Sequence, residues 1–136
     1  MVKKNIKVLL STLGLDVHSR GVLTVAKYLR DAGMEVIYIG NSMPEQIIKA
    51  ALQEDADIIG VSSLGGAHLT LGSDLVSQAK KEGIYDERVF VIGGAIPDDD
   101  AGKLKEAGFD EIFTSGATKE VIVSSITNIF ERKLVN

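Results

Sequence analysis

Asp16 and His18 are the first residues of the chain whose types and spacing could do chemistry, and His18 is one of only two histidines among 136 residues. They follow an apolar, strand-like run. In an extended segment alternate side chains project to the same side, so a carboxylate two residues before a histidine can accept the Nδ1 proton and leave Nε2 as a lone-pair donor. That is how a metal-ligating imidazole is usually held. Taken alone, the spacing also describes a solvated loop histidine near an aspartate, and histidine is common on surfaces. What decides between the two is which other residues the fold brings to His18.

The elements that must position this pair show in the hydrophobic pattern. Short β-branched runs at 6–10, 34–39, 58–62, 89–92 and 111–113 read as strands. They alternate with helical patterns. Residues 20–32 carry Val22, Val25, Ala26 and Leu29 at helical spacing and end before Gly33. Ser42-Met43-Pro44-Glu45 has the spacing of a capping box for a helix running to about Glu54. Further helices are expected near 70–82, over 97–107, where Asp98, Asp99 and Asp100 suit a first turn, and from about Thr118.

Five βα units with strands apolar throughout imply a parallel sheet covered by helices on both faces and joined by right-handed crossovers. The expected fold class is therefore α/β, a flavodoxin-like doubly wound sheet of order 2-1-3-4-5 forming one domain over 1–136. Such sheets bind ligands beyond the strand C-termini, at the switch point between strands 1 and 3.

Composition narrows the class further. With 45% hydrophobic and 25% charged residues the chain has the balance of a globular domain, not of a disordered or fibrous one. A net charge of −4 without a Lys/Arg stripe argues against nucleic acid. The absence of cysteine excludes thiolate metal sites, disulfides and cysteine nucleophiles. No apolar stretch approaches a membrane span or a signal-peptide core, so the expected setting is cytoplasmic, with no membrane partner. Phosphate cradles of the G-x-G-x-x-G and Walker types are missing from the expected strand–helix turns.

At the C-terminal ends of the three central strands lie Asp16-Val17-His18-Ser19-Arg20-Gly21, Ser62-Ser63-Leu64-Gly65-Gly66 and Gly93-Gly94. The fold converges all three on one crevice. This ordered set, D-x-H-x-x-G, S-x-L and G-G, resembles the cobalamin-binding domain of base-off, histidine-on B12 proteins over essentially the whole chain. The text around it, including Leu29 to Tyr38, Ala51 to Asp57 and Gly66-Ala67-His68, is most similar to acyl-CoA carbon-skeleton mutases of the methylmalonyl-CoA mutase type.

The resemblance implies adenosylcobalamin as cofactor, with His18 as the lower axial ligand of cobalt and Asp16 orienting its imidazole. It implies that Ser19, Arg20 and Gly21 border the cofactor, that Ser62 bonds the displaced base, and that Leu64 and Gly66 border the same pocket. Gly93 and Gly94 would admit the flat ring where a β-carbon would block it, and Gly116 is carried over as a contact to the tail. It further implies a small subunit of an isomerase, paired with a larger (β/α)8-barrel subunit that binds the acyl-CoA. Alternatives are the small subunit of glutamate or methyleneglutarate mutase, and a corrinoid methyl carrier. A phosphoacceptor receiver domain, the non-enzyme rival of the same fold, needs an aspartate where this chain has Ser62 and Ser63.

Departures from the family pattern are Val17 for glycine, Ser19 for aspartate, and Thr12 for the lysine that would pair with Asp16. The loop 113–117 also lacks a proline often found there. His68 is open to three readings: a second ligand or corrin-edge residue, a polar loop contact, or an interface residue.

Overall fold

The computed structural model describes residues 5–14, 20–63, 68–114 and 116–135. Five strands alternate with five helices: β1 (Lys7–Leu13), α1 (Arg20–Asp31), β2 (Glu35–Ser42), α2 (Pro44–Glu54), β3 (Ile58–Ser63), α3 (His68–Lys81), β4 (Val89–Gly94), α4 (Asp98–Ala107), β5 (Glu111–Thr114) and α5 (Lys119–Phe130). A 3-10 turn precedes β4, and a π-helical turn, Glu131–Val135, extends α5. The sheet is parallel with order β2-β1-β3-β4-β5, the order the sequence implies. Among the described residues no helix is long and apolar enough to cross a membrane.

Period-two alternation sends neighbouring residues of each strand into different cores. Leu9, Ile59, Phe90 and Ile92 pack under α2, α3 and α4 through Ile47, Leu75 and Leu104. Val8, Leu10, Ile58, Val89 and Val91 pack on the other face, under α1 and α5. α1 buries Val22, Ala26 and Leu29 at helical spacing, and α5 buries Ile122, Ile126, Ile129 and Phe130. The Thr118 hydroxyl caps α5 by accepting from the Val121 N–H at 3.2 Å.

Two aspartates pin the register at the N-terminal edge of the sheet. Asp57, just before β3, accepts the Lys7 N–H on Oδ2 at 3.0 Å and donates its own N–H to the Lys7 carbonyl at 2.9 Å. Asp110, just before β5, does the same with Phe90, at 2.8 and 2.7 Å. Each carboxylate satisfies an N–H that would otherwise begin its strand unpaired. Lys133, from the turn after α5, closes on Asp110 at 3.0 Å and lies 4.2 Å from the Tyr85 ring centroid.

The strands run further than expected. β1, β2, β3 and β4 take in Leu13, Ser42, Ser63 and Gly94, so Ser63, Gly93 and Gly94 end strands instead of following them. The capping box expected from Ser42 to Glu45 is not the one formed. Pro44 occupies the first helical position, Ser42 stays in β2, and the Met43 N–H is capped by Gln46 Oε1 at 2.9 Å. α3 also begins earlier, at His68.

Candidate functional site

The two faces of the sheet differ at the C-terminal end of the strands. On the α1/α5 face, register partners form three successive rungs. The first is Val8, Ile58 and Val89; the second Leu10, Gly60 and Val91; the third Thr12, Ser62, Gly93 and Phe113. Along β3 the side chains on this face are thus Ile, Gly and Ser, and along β4 Val, Val and Gly. Side-chain bulk falls towards the strand ends while the helices stay in place above. A slot of about 820 Å³ results, walled by Leu10, Gly60 and Val91 of the second rung, by Ser62, Gly93 and Phe113 of the third, and by Val22, Val25, Ile122 and Ile126.

Most of the described sequence candidates line this slot: Arg20 and Gly21 at the start of α1, Ser62 at the end of β3, Gly93 and Gly94 at the end of β4, and Gly116 after β5. Ser62 and Gly93 are direct partners in the third rung. A Cβ on Gly93 would sit 3.2 Å from the Phe113 carbonyl, so the open wall there depends on the missing side chain. Gly94 has a different reason. Its φ is +132°, and a Cβ would run into the Ser63 carbonyl of β3, so its residue type is fixed by strand-to-strand approach. Asp16, His18, Ser19, Leu64 and Gly66 lie outside the described residues, as does Ser115.

Among the slot residues that escape the sequence reading are Gly60, Tyr28 and Phe113. For Gly60 a signal exists. A glycine inside an apolar strand, two residues before Ser62, marks a gap on the same face. Thr12 stands in the third rung, buried, with Oγ1 3.1 Å from the Tyr38 hydroxyl. A neutral hydroxyl pair thus occupies the strand end where the resembled family has lysine.

His68 lies in a helix. It begins α3, is 4% exposed, and its Nε2 lies 2.8 Å from Asp100 Oδ2 on α4. As a carboxylate, Asp100 accepts and the Nε2–H donates. The Asp98–Asp100 run is accordingly more than a solvated helix start. Among the described residues, His68 Nδ1 and Ser63 Oγ are buried without a hydrogen-bond partner, both on the α3 side of the sheet.

The slot can hold a flat, largely apolar group inserted from the strand C-termini, with hydroxyls on its lining from Ser62, Thr24, Tyr28 and Thr114. Comparison with known proteins agrees with that chemistry. A family model described as the B12 binding domain matches residues 6–123. The chain is 40% identical over 125 residues to the 2-hydroxyisobutanoyl-CoA mutase small subunit of Aquincola tertiaricarbonis, covering 91% of each chain. It is 39% identical over 129 residues to the pivalyl-CoA mutase small subunit of Xanthobacter autotrophicus, covering 93% of this chain and 85% of that one. Among solved structures, a cobalamin-binding protein from Desulfitobacterium hafniense superposes with a TM-score of 0.80 at 21% identity, over 93% of this chain and 60% of that chain. A response regulator from Thermotoga maritima superposes with a TM-score of 0.74 at 15% identity, over 94% of this chain and 99% of that one. At those identities the superpositions establish the fold, which cobalamin binders and receiver domains share.

Proposed function

Because this chain belongs to the B12-binding domain family, we propose that it is the cobalamin-binding small subunit of an adenosylcobalamin-dependent mutase that rearranges the carbon skeleton of an acyl-CoA. The observation that carries this reading is the likeness to two small subunits of acyl-CoA mutases along nearly the whole of each chain. Its substrate belongs to the acyl-CoA class, and its partner is a larger (β/α)8-barrel subunit holding that substrate. The domain spans 1–136 and works in the cytoplasm.

The residues present fit the nucleotide tail of a base-off cobalamin. The tail ends in a flat aromatic base, and the slot offers apolar walls, a missing side chain at Gly93 and the Ser62 hydroxyl in the third rung. Ser62 bonds the base, Gly93 admits its plane, and Gly21 and Gly116 leave room at the mouth. His18 is the axial ligand to cobalt, with Asp16 accepting from its Nδ1–H; their type and spacing support those roles. When bound, adenosylcobalamin supplies the radical chemistry of the rearrangement, while the protein binds and orients it. The slot opens at the strand C-termini, so a cofactor held there would need cover from outside this chain, since radical chemistry must be shielded from solvent. The larger subunit provides the cover.

Mixing the chain with adenosylcobalamin and acyl-CoA esters should give isomerisation only when the large subunit is added. Sustained turnover by the chain alone overturns the two-component reading. The axial assignment is checked separately by the electron-spin spectrum of bound cob(II)alamin. Nitrogen-15 labelling of histidine should alter the nitrogen splitting, and His18→Ala should remove it. An unlabelled-type spectrum from the labelled protein rules the assignment out.

A further inference from the structure

We infer that the inner end of the slot, where Leu10, Gly60 and Val91 stand side by side, selects the base of the nucleotide tail, taking an apolar bicyclic ring of the benzimidazole kind and discriminating against a purine. The inference rests on the cobalamin-binding reading above. The side chains of Leu10, Gly60 and Val91 carry no donor or acceptor, their outer register partners Tyr38 and Glu111 are not among the residues lining the slot, and the backbone amides and carbonyls of the rung are engaged in the parallel ladders on both sides of β3. Val25, Ile122 and Ile126 close it from the helices. The hydroxyl of Ser62 lies one rung outward, about 6.6 Å along the strand. Thr24 is turned to the Arg20 carbonyl at 2.9 Å. Tyr28 is the polar exception on the wall, with its ring 6.0 Å from Lys119 Nζ.

With Ser62 serving the near edge of the base, a purine would bury the nitrogen and exocyclic amine of its far edge against Leu10, Gly60 and Val91, which cannot pair with them, whereas a methylated benzene edge loses nothing. An apolar pocket rejects an added polar group by only about 100-fold, so the discrimination has a ceiling. Gly60 sets the length of the slot. A Cβ there would lie 2.7 Å from Leu10 Cδ2 and 3.3 Å from Val91 Cγ2. Leu10 lines the slot itself, so its displaced methyl takes up space the ring would use.

The test is equilibrium binding of the full chain, read by corrinoid absorbance, to four compounds: dimethylbenzimidazole cobamide, benzimidazole cobamide, adenine cobamide, and cobinamide, which lacks the tail. The adenine form should bind about 10- to 100-fold more weakly than the benzimidazole forms. Gly60→Ala should weaken the dimethylated form more than the unsubstituted one, and Tyr28→Phe should leave the adenine ratio unchanged. Should Gly60→Ala fail to fold, Val91→Ala lengthens the slot instead and should narrow the preference. Equal binding of the adenine form by the parent chain overturns the inference, and so does a ratio that collapses in Tyr28→Phe. If cobinamide binds as tightly as the complete cobamides, or no corrinoid binds, the cobalamin reading of the slot is what fails, and the inference falls with it.

Discussion

The same strands make a closed core on one face of the sheet and an open slot on the other. On β3, Ile59 and Val61 are buried under α2 and α3, while Gly60 and Ser62, interleaved with them, leave space under α1 and α5. On β4, Phe90 and Ile92 fill the closed face and Gly93 clears the other. The difference teaches that a binding slot needs no separate element. A period-two sequence can thin one side of a strand while the other side keeps the sheet folded.

Substitutions can break this division of labour. Phe90→Ala on the closed face removes a fully buried ring stacked 5.6 Å from Tyr85 and should cost about 3–5 kcal/mol of stability by urea unfolding, with corrinoid affinity of the folded protein unchanged. Gly93→Val on the slot face should do the reverse. Affinity should fall by about 100-fold while stability falls less than in Phe90→Ala, because the added methyls occupy the slot and the cost to the fold is the 3.2 Å approach of the new Cβ to the Phe113 carbonyl. If both variants lose stability and affinity in parallel, the two faces are one cooperative unit and the comparison fails.

A smaller effect sharpens it. Burial, and then the charges of Asp110 and Asp86, push the Tyr85 hydroxyl above its ordinary value of 10.0. The fold therefore favours the neutral phenol, which donates to the Gly108 carbonyl at 2.6 Å. Its contribution is fully present below about pH 10, the unfolded value, and is lost as pH rises towards the raised folded value. Tyr85→Phe should cost about 0.5–1.5 kcal/mol at pH 8 and flatten the alkaline decline, read as urea midpoints from pH 8 to 11. A decline as steep as the parent's would place the alkaline sensitivity elsewhere.

The strand order and both helical layers were legible because apolar runs and helical stripes dominate their segments. The strand ends were less so. Ser63, Gly93 and Gly94 carry turn-like residue types, and Ser11 and Thr12 are polar, so β1, β3 and β4 looked shorter than they are. Gly60 was overlooked among the apolar residues beside it, although its place two residues before Ser62 puts both on the slot face. The burial of His68 was invisible for another reason: its partner, Asp100, is 32 residues away with no local pattern to announce it. The histidine–aspartate pair at 16 and 18, with Ser19, Leu64 and Gly66, was legible as spacing and motif, and its roles are the ones proposed above.

The paired aspartates at the N-terminal edge also bear on how the slot comes into being. Asp110 must meet Phe90 across 20 residues, and Asp57 must meet Lys7 across 50. Loop closure grows more costly with length, by about 0.8 kcal/mol between those two spans. Contacts between distant residues also slow folding, because chain entropy is lost before the contacts repay it. The β4–β5 corner is thus the easier to nucleate, and docking of β1 on β3 is the slower event. The slot takes Leu10 from β1 and the rest of its floor from β3, β4 and β5, so its inner end is complete only once β1 has docked on β3.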